Sequence, residues 1–259
     1  MKKRSIVHLL GTAFALLLSA VSLVPFLYVF VLSFFPETGI SIQPYYDVFW
    51  ATPRYTLRFW RSLGMCAAVC LGQLFVSVLA GFAFAKCRFK GRDTLFYLLL
   101  ILMVLPIQVT LVPNYLVLDS FHLLNTYAAL ILPSIFVPLG TFILRQSFAS
   151  IPDSVMDAAM IDGCNVAQII TRIAVPMNWS GVVCVLLLSF LDAWNMVEQP
   201  ISYLKSFEDY PLSVALAYAP TGNAVIQMVC CVLVAIPPLF LFTCFNKELV
   251  EGITLAEVK

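Results

Sequence analysis

Asp192, Asn195 and Gln199 recur at i, i+3 and i+7 at one end of a long apolar run in which Asp192 is the only acid. On a helix they share a face. Polar groups inside an apolar run normally face a bundle interior or a water-filled cavity. There the carboxylate and amides would hydrogen-bond a hydroxyl-rich solute, and Trp194 would offer it a flat apolar ring. Glu198 lies one residue off that line. The same residues serve equally as interhelical hydrogen-bonding groups. No other chemistry is well supplied. The two histidines, His8 and His122, lie far apart, so neither a zinc site nor a His-based catalytic centre is expected. A membrane hydrolase would need a nucleophile and a base within the apolar runs. Cys66 and Cys70 stand at i, i+4 with no histidine near them in sequence, and read as small buried hydrophobes. No Gly-Lys pair occurs, so there is no phosphate-binding loop. The chain is expected to be non-catalytic, with no metal and no cofactor.

The elements that must position these residues are membrane spans. Of 259 residues, 61% are hydrophobic and 11% charged, with a mean hydropathy of +0.95. Soluble domains carry about 25% charged residues. A net charge of +1 argues against nucleic acid, which requires a basic patch. Six segments approach the roughly 20 residues needed to cross a bilayer: 6–35, 63–85, 94–113, 127–148, 179–197 and 225–245. Continuous apolar runs without period-two alternation exclude a barrel. The expectation is therefore an all-α, multi-pass integral membrane protein, a single transmembrane domain over 1–259. With the N-terminus inside, the inner segments hold eleven Lys and Arg residues and the outer ones four (Arg54, Arg58, Arg61 and Lys205). The positive-inside rule then puts both termini in the cytoplasm. A cleaved signal peptide beginning Lys2-Lys3-Arg4 is the rival, but the apolar run that follows is too long for one. None of the eight cysteines falls in an outer loop, so no disulfide framework is implied.

The loop at about 149–178 is polar-faced and helix-forming between two apolar runs. Pro152 and Asp153 are helix openers, and Ala158 and Ala159 are strong helix formers. Gly163 is placed to end this first helix in the left-handed conformation. Val166, Ile169, Ile170 and Ile173 then recur as one apolar stripe of a second helix, and Pro176 punctuates the entry to the next span. The prediction is a helix–turn–helix on the membrane surface with Asp157, Asp162 and Gly163 at its elbow. A plain amphipathic linker has the same periodicity.

The joint spacing is more specific. Asp157-Ala158-Ala159, three residues, Gly163, nine residues, then Ile173-Ala174-Val175-Pro176 resembles the EAA loop of binding-protein-dependent ABC importer permeases. That loop carries Glu and Leu where Asp157 and Val175 stand here. Residues 105–113 and 140–148, Ala193-Trp194-Asn195, and residues 249–254 with Val258-Lys259 are similar to its carbohydrate-uptake branch. Nearly the whole chain resembles the smaller maltose-permease-type subunit.

That resemblance implies a type I ABC importer permease fold of six transmembrane helices in a bacterial-type cytoplasmic (inner) membrane. It also implies a second homologous permease, two ATP-binding subunits and an extracytoplasmic solute-binding protein. The 153–176 loop would couple to the ATPase through Asp157, Ala158, Ala159, Asp162, Gly163, Ile173 and Pro176. The implied cargo is a sugar or sugar-like solute. The same machinery could carry a glycerol-phosphate diester or an amino acid, although no Lys or Arg lies deep in a span to meet an anion. A secondary transporter should show internal repeats, and the sequence shows none.

The remaining features read structurally. Gly64, Ala68 and Gly72, and Gly81 with Ala85, are small-residue faces for helix packing. Pro106, Pro113, Pro237 and Pro238 are expected to kink or end helices. Lys86, Arg88, Lys90 and Arg92 form a topology signal with some affinity for anionic lipid. The aromatic-rich outer segment 37–61 suits the membrane interface.

Overall fold

The computed structural model describes residues 2–36, 39–51, 53–217 and 224–257. In chain order the helices are α1 (Lys2–Leu32), α2 (Gln43–Tyr46), α3 (Pro53–Lys86), α4 (Arg92–Val104), α5 (Ile107–Ser120), α6 (Ala128–Ile135) and α7 (Pro138–Ala149). They continue with α8 (Asp153–Ile161), α9 (Val166–Ile169), α10 (Val175–Met177), α11 (Trp179–Trp194), α12 (Glu198–Tyr203), α13 (Leu212–Ala217) and α14 (Ala224–Glu257). There is no strand among the described residues. Four stretches are long and apolar enough to cross a membrane: Gly11–Leu32, Tyr55–Lys86, Ala128–Ala149 and Ala224–Gly252. Two bent pairs, α4 with α5 and α9–α10 with α11, raise the number to six.

The bends correct two expected spans. The third is not straight, since α4 and α5 meet at 104°. Pro106 has no N–H to donate and forces Leu105 into an extended conformation (φ −67°, ψ 127°), so the helix cannot run on. The fifth is short: α11 ends at Trp194 and turns 86° from the helix before it. A third correction concerns α3, which begins at Pro53 rather than near residue 63. Arg54, Arg58 and Arg61 depress the local hydropathy, yet arginine is a good helix former and does not end the helix. The chain continues helically through Pro113, Pro237 and Pro238, and the break in α14 falls instead at Phe245 (φ −125°, ψ 22°).

The chain divides into two compact units, Met1–Leu57 with Leu216–Ile236, and Arg58–Ala215 with Pro237–Lys259. In the first, α1 exposes Phe14, Leu17, Phe26 and Tyr28, side chains suited to lipid. The chain then folds back through Ser33, which is fully buried, donates to the Phe30 carbonyl at 2.6 Å and meets the Tyr45 hydroxyl at 2.6 Å. Tyr45 also stacks on Phe34. Of the outer segment, residues 37, 38 and 52 lie outside the described ones, and Trp50 is exposed. Lys2, Lys3 and Arg4 lie in α1 and are described as backbone alone; Val258 and Lys259 lie outside the described residues.

The second unit holds a continuous core of Phe82 (α3), Ile143, Leu144 and Phe148 (α7), and Val182, Cys184 and Val185 (α11). Met156, Ala159, Ile169, Ile170 and Ala174 extend it into the 149–178 loop. Glycines permit this close approach. A Cβ at Gly81 would stand 2.9 Å from Leu144 Cβ, and one at Gly72 would stand 2.6 Å from Ile135 Cδ1. At Gly140 it would run into Ser77 Oγ and stand 3.1 Å from Val185 Cγ1, wedging α3, α7 and α11 apart. Gly64 meets nothing within 4 Å among the described residues of this chain: it opens onto a depression beside Arg61, Tyr127 and Asp209. Gly140→Ala should therefore destabilise the chain by about 1–3 kcal/mol, the range for overpacking. Gly64→Ala should be neutral or slightly stabilising, because alanine favours helix. Thermal midpoints of the two purified variants check the contrast.

Candidate functional site

Two sites are built within the second unit. The first is the 149–178 loop. Pro152 (φ −60°, ψ 139°) turns the chain into α8, and Asp153 sits in its first turn, where the helix dipole favours an acid. The helix ends in a Schellman motif. Cys164 N donates to the Ala159 carbonyl at 3.0 Å and Gly163 N to the Met160 carbonyl at 3.1 Å. Gly163 has φ +82°, as the spacing predicts for a left-handed stop. Asn165 then opens α9 with a reciprocal capping box: its Oδ1 accepts from Gln168 N, and Gln168 Oε1 accepts from Asn165 N, both at 2.9 Å. Sequence reading missed this cap, although Asn-x-x-Gln is its signal. Residues 170–174 form a π-helical turn, with Val175 N donating to the Ile170 carbonyl. Pro176 has no N–H for the ordinary bond to Arg172.

This loop splits its sequence-predicted residues into two groups. Asp157, Ala158, Asp162, Gly163 and Pro176 are exposed. Ala159 is 6% exposed and Ile173 half-buried, both packed on the core. The two adjacent alanines therefore do different work: Ala158 faces outward, while Ala159 leaves room for the helix to approach the bundle. Val166 does not join the apolar stripe, being 59% exposed. Ile161, at 85%, and Met160, at 56%, stand out beside Asp162 and make the elbow partly apolar.

Both ends of the loop are tied down. At its start, Lys86 Nζ from the end of α3 donates to the Ile151 carbonyl at 2.6 Å and to Asp153 Oδ1 at 2.7 Å. The Lys86 bond and charge hold the Asp153 carboxyl below its ordinary range. A lowered carboxyl adds stability at pH above its unfolded pKa and loses it as pH falls through the folded value, so this tie is intact near neutrality. At the far end, Ser180 Oγ donates to Glu251 Oε2 at 2.7 Å. A Cβ on Gly252 would lie 2.9 Å from the Ser180 carbonyl.

The second site is a cavity of about 560 Å³ lined by α3, the start of α5, α6 and Val137 after it, α11, the turn that follows, and α12. Asp192, Asn195 and Gln199 all line it. They do not share one continuous helix face, because α11 ends at Trp194 and α12 begins at Glu198. The break itself folds them round one space. Asn195 caps α11, its Nδ2 donating to the Leu191 carbonyl at 2.9 Å. Glu198 also lines the cavity and accepts from Gln108 Nε2 of α5 at 2.8 Å. Gln73 of α3 and Ser189 add further polar lining. Sequence reading missed Gln73 and Gln108; for Gln73, a lone amide in an apolar stretch was the available signal. Trp194 is a correction. It is 3% exposed, stacked on Phe190 at 5.5 Å and edge-on to Phe59 at 5.9 Å, and it does not line the cavity. Its indole fills the joint between α3 and α11, the usual fate of a large ring at a helix end. Among the described residues the lining includes two carboxylates and no Lys, Arg or His.

The chain is 30% identical over 228 residues to the arabinooligosaccharides transport system permease protein AraQ of Halalkalibacterium halodurans, covering 87% of this chain and 82% of that one. It is 28% identical over 211 residues to the sn-glycerol-3-phosphate transport system permease protein UgpE of Escherichia coli, covering 77% and 74%. A solved chain from a bacterial ABC transporter involved in import of the acidic polysaccharide alginate superposes with a TM-score of 0.81 at 19% identity, covering 93% of this chain and 96% of that one. The fold is thus that of an ABC importer permease. Residues 73–253, which hold the 149–178 loop and every cavity-lining residue but Val69, match the family model for inner membrane components of binding-protein-dependent transport systems, and the chain belongs to that family.

Proposed function

We propose that the chain is the permease subunit of an ATP-driven importer that carries a neutral sugar or sugar-like solute across a bacterial-type cell membrane. It pairs with a second, homologous permease. A solute-binding protein delivers cargo outside, and two ATPase subunits bind inside. Both termini face the cytoplasm, as the Lys and Arg distribution requires. Asp157, Ala158, Asp162 and Gly163 meet the ATPase, and Ala159 and Ile173 seat the lever on the bundle. Asp192, Asn195 and Gln199 border half of the path. The observation that carries this reading is the exposed elbow at Gly163, packed through Ala159, Ile169 and Ile170 into the same core that α3, α7 and α11 share. A force applied at the elbow has a solid route to the spans.

The neutral cargo rests on the cavity's charge. Two carboxylates without a cation disfavour a phosphate or uronate. The AraQ relative is named for arabinooligosaccharides, which are uncharged. The UgpE relatives, named for sn-glycerol-3-phosphate, keep an anionic cargo as the second reading. Uptake of labelled arabinooligosaccharide and labelled glycerol 3-phosphate in a strain lacking this chain, with and without the chain restored, decides between them. Restoration should rescue the oligosaccharide alone. Rescue of glycerol 3-phosphate alone overturns the neutral reading.

A further inference from the structure

We propose that Lys86 is a positioning residue that transmits movement between the cavity and the ATPase-coupling loop. The inference rests on the coupling role of that loop. One helix, α3, carries both ends of the link. Val69 and Gln73 line the cavity, and Lys86 stands thirteen residues beyond Gln73 with no proline between them. At 1.5 Å per residue that distance is about 20 Å of unbroken helix. A shift or tilt of α3 at the cavity therefore reappears at Lys86.

Lys86 is built to pass that shift on. Its side chain is 11% exposed, although lysine is ordinarily a surface residue. Its Nζ grips Ile151 and Asp153, the two residues flanking Pro152 at the entrance to α8. Lys86 also closes α3, where a cation suits the helix dipole. The two bonds are unequal. Asp153 is 79% exposed, so water screens and replaces it readily. The Ile151 carbonyl is the firmer partner, since Ile151 is itself 3% exposed and a charge-assisted bond to a neutral acceptor there has little competition from water. The ammonium thus anchors the backbone just before Pro152, a residue that fixes the direction in which α8 leaves the bundle.

The test uses the complete transporter with its binding protein in proteoliposomes. Lys86→Met keeps the length of the stem and removes the ammonium. It should lower sugar uptake by at least about tenfold, the effect of losing a hydrogen bond to a charged group. ATPase subunits should still co-purify and hydrolyse ATP, but loaded binding protein should no longer accelerate them. Lys86→Arg should restore most of the stimulation, and Asp153→Asn should stay within about twofold of the parent. If Lys86→Met does not accumulate, Lys86→Gln, which retains one donor for the Ile151 carbonyl, carries the test with a partial loss of stimulation. Normal stimulation in Lys86→Met, or loss of the ATPase subunits from it, overturns the inference; the second result would make Lys86 a purely structural tie. Gly163→Asp is measured in parallel. Should it too leave stimulation untouched, the coupling reading itself falls rather than the role of Lys86.

Discussion

Gly163→Asp is expected to abolish uptake while the chain still folds and inserts. Gly163 has φ +82°, and a Cβ built there meets nothing within 4 Å. The only internal cost is the left-handed backbone, about 1–2 kcal/mol for an ordinary residue and less for aspartate, which visits that region more readily. Loss of transport would then report a collision or charge conflict with a partner, not damage to this chain. Gly91 supplies the control. It has the same φ of +82° and the same empty surroundings, but lies between α3 and α4, outside the elbow. Gly91→Asp should carry the same left-handed backbone cost and still transport normally. Asp157→Glu, restoring the residue common in EAA loops, should remain within about twofold of the parent, because the carboxylate stays on an exposed helix face. Uptake and sugar-stimulated ATPase activity are the measurements. Normal values in Gly163→Asp would remove the elbow from the coupling path.

The second large effect is expected at the cavity. Two fixed negative charges about 5 Å from an anionic cargo, at an effective dielectric near 20, repel it by roughly 3 kcal/mol each before screening. Removing them should open the path to anions. The double variant Asp192→Asn with Glu198→Gln keeps the volume and the hydrogen-bonding groups, and the amide introduced by Glu198→Gln can still pair with Gln108. Uptake of the neutral sugar should hold within a few-fold, while inhibition by the matching uronate or sugar phosphate should strengthen by about a hundredfold. Inhibition unchanged by the double variant would show that the acids do not face the cargo. Asn195→Ala should behave differently. It removes the Nδ2 bond to the Leu191 carbonyl that finishes α11, so it should lower yield and thermal midpoint along with uptake. The two variants thereby separate cargo selection from helix support.

The amino-acid sequence by itself determined what depends on short-range rules. Apolar runs of about 20 residues identify spans wherever they occur. Asp153, the alanine pair and Gly163 set the start and stop of α8 through their own backbone preferences, so its left-handed glycine was legible residue by residue; the chain instead runs helically past Pro176 and breaks at Asn178 (φ −122°, ψ 40°). Pro106 likewise announced a break. The tertiary structure alone decided what depends on partners distant in the chain. Glu198 faces Gln108 across 90 residues of sequence and Lys86 reaches Asp153 across 67; no local pattern predicts either. The same holds for the inward turn of Ala159 against the outward turn of Ala158, the outward turn of Val166, and the burial of Trp194 between Phe59 and Phe190. Periodicity says that a face exists. Which side of it meets the bundle is settled by the packing of α3, α7 and α11, because close-packed helices admit few arrangements of the chain between them.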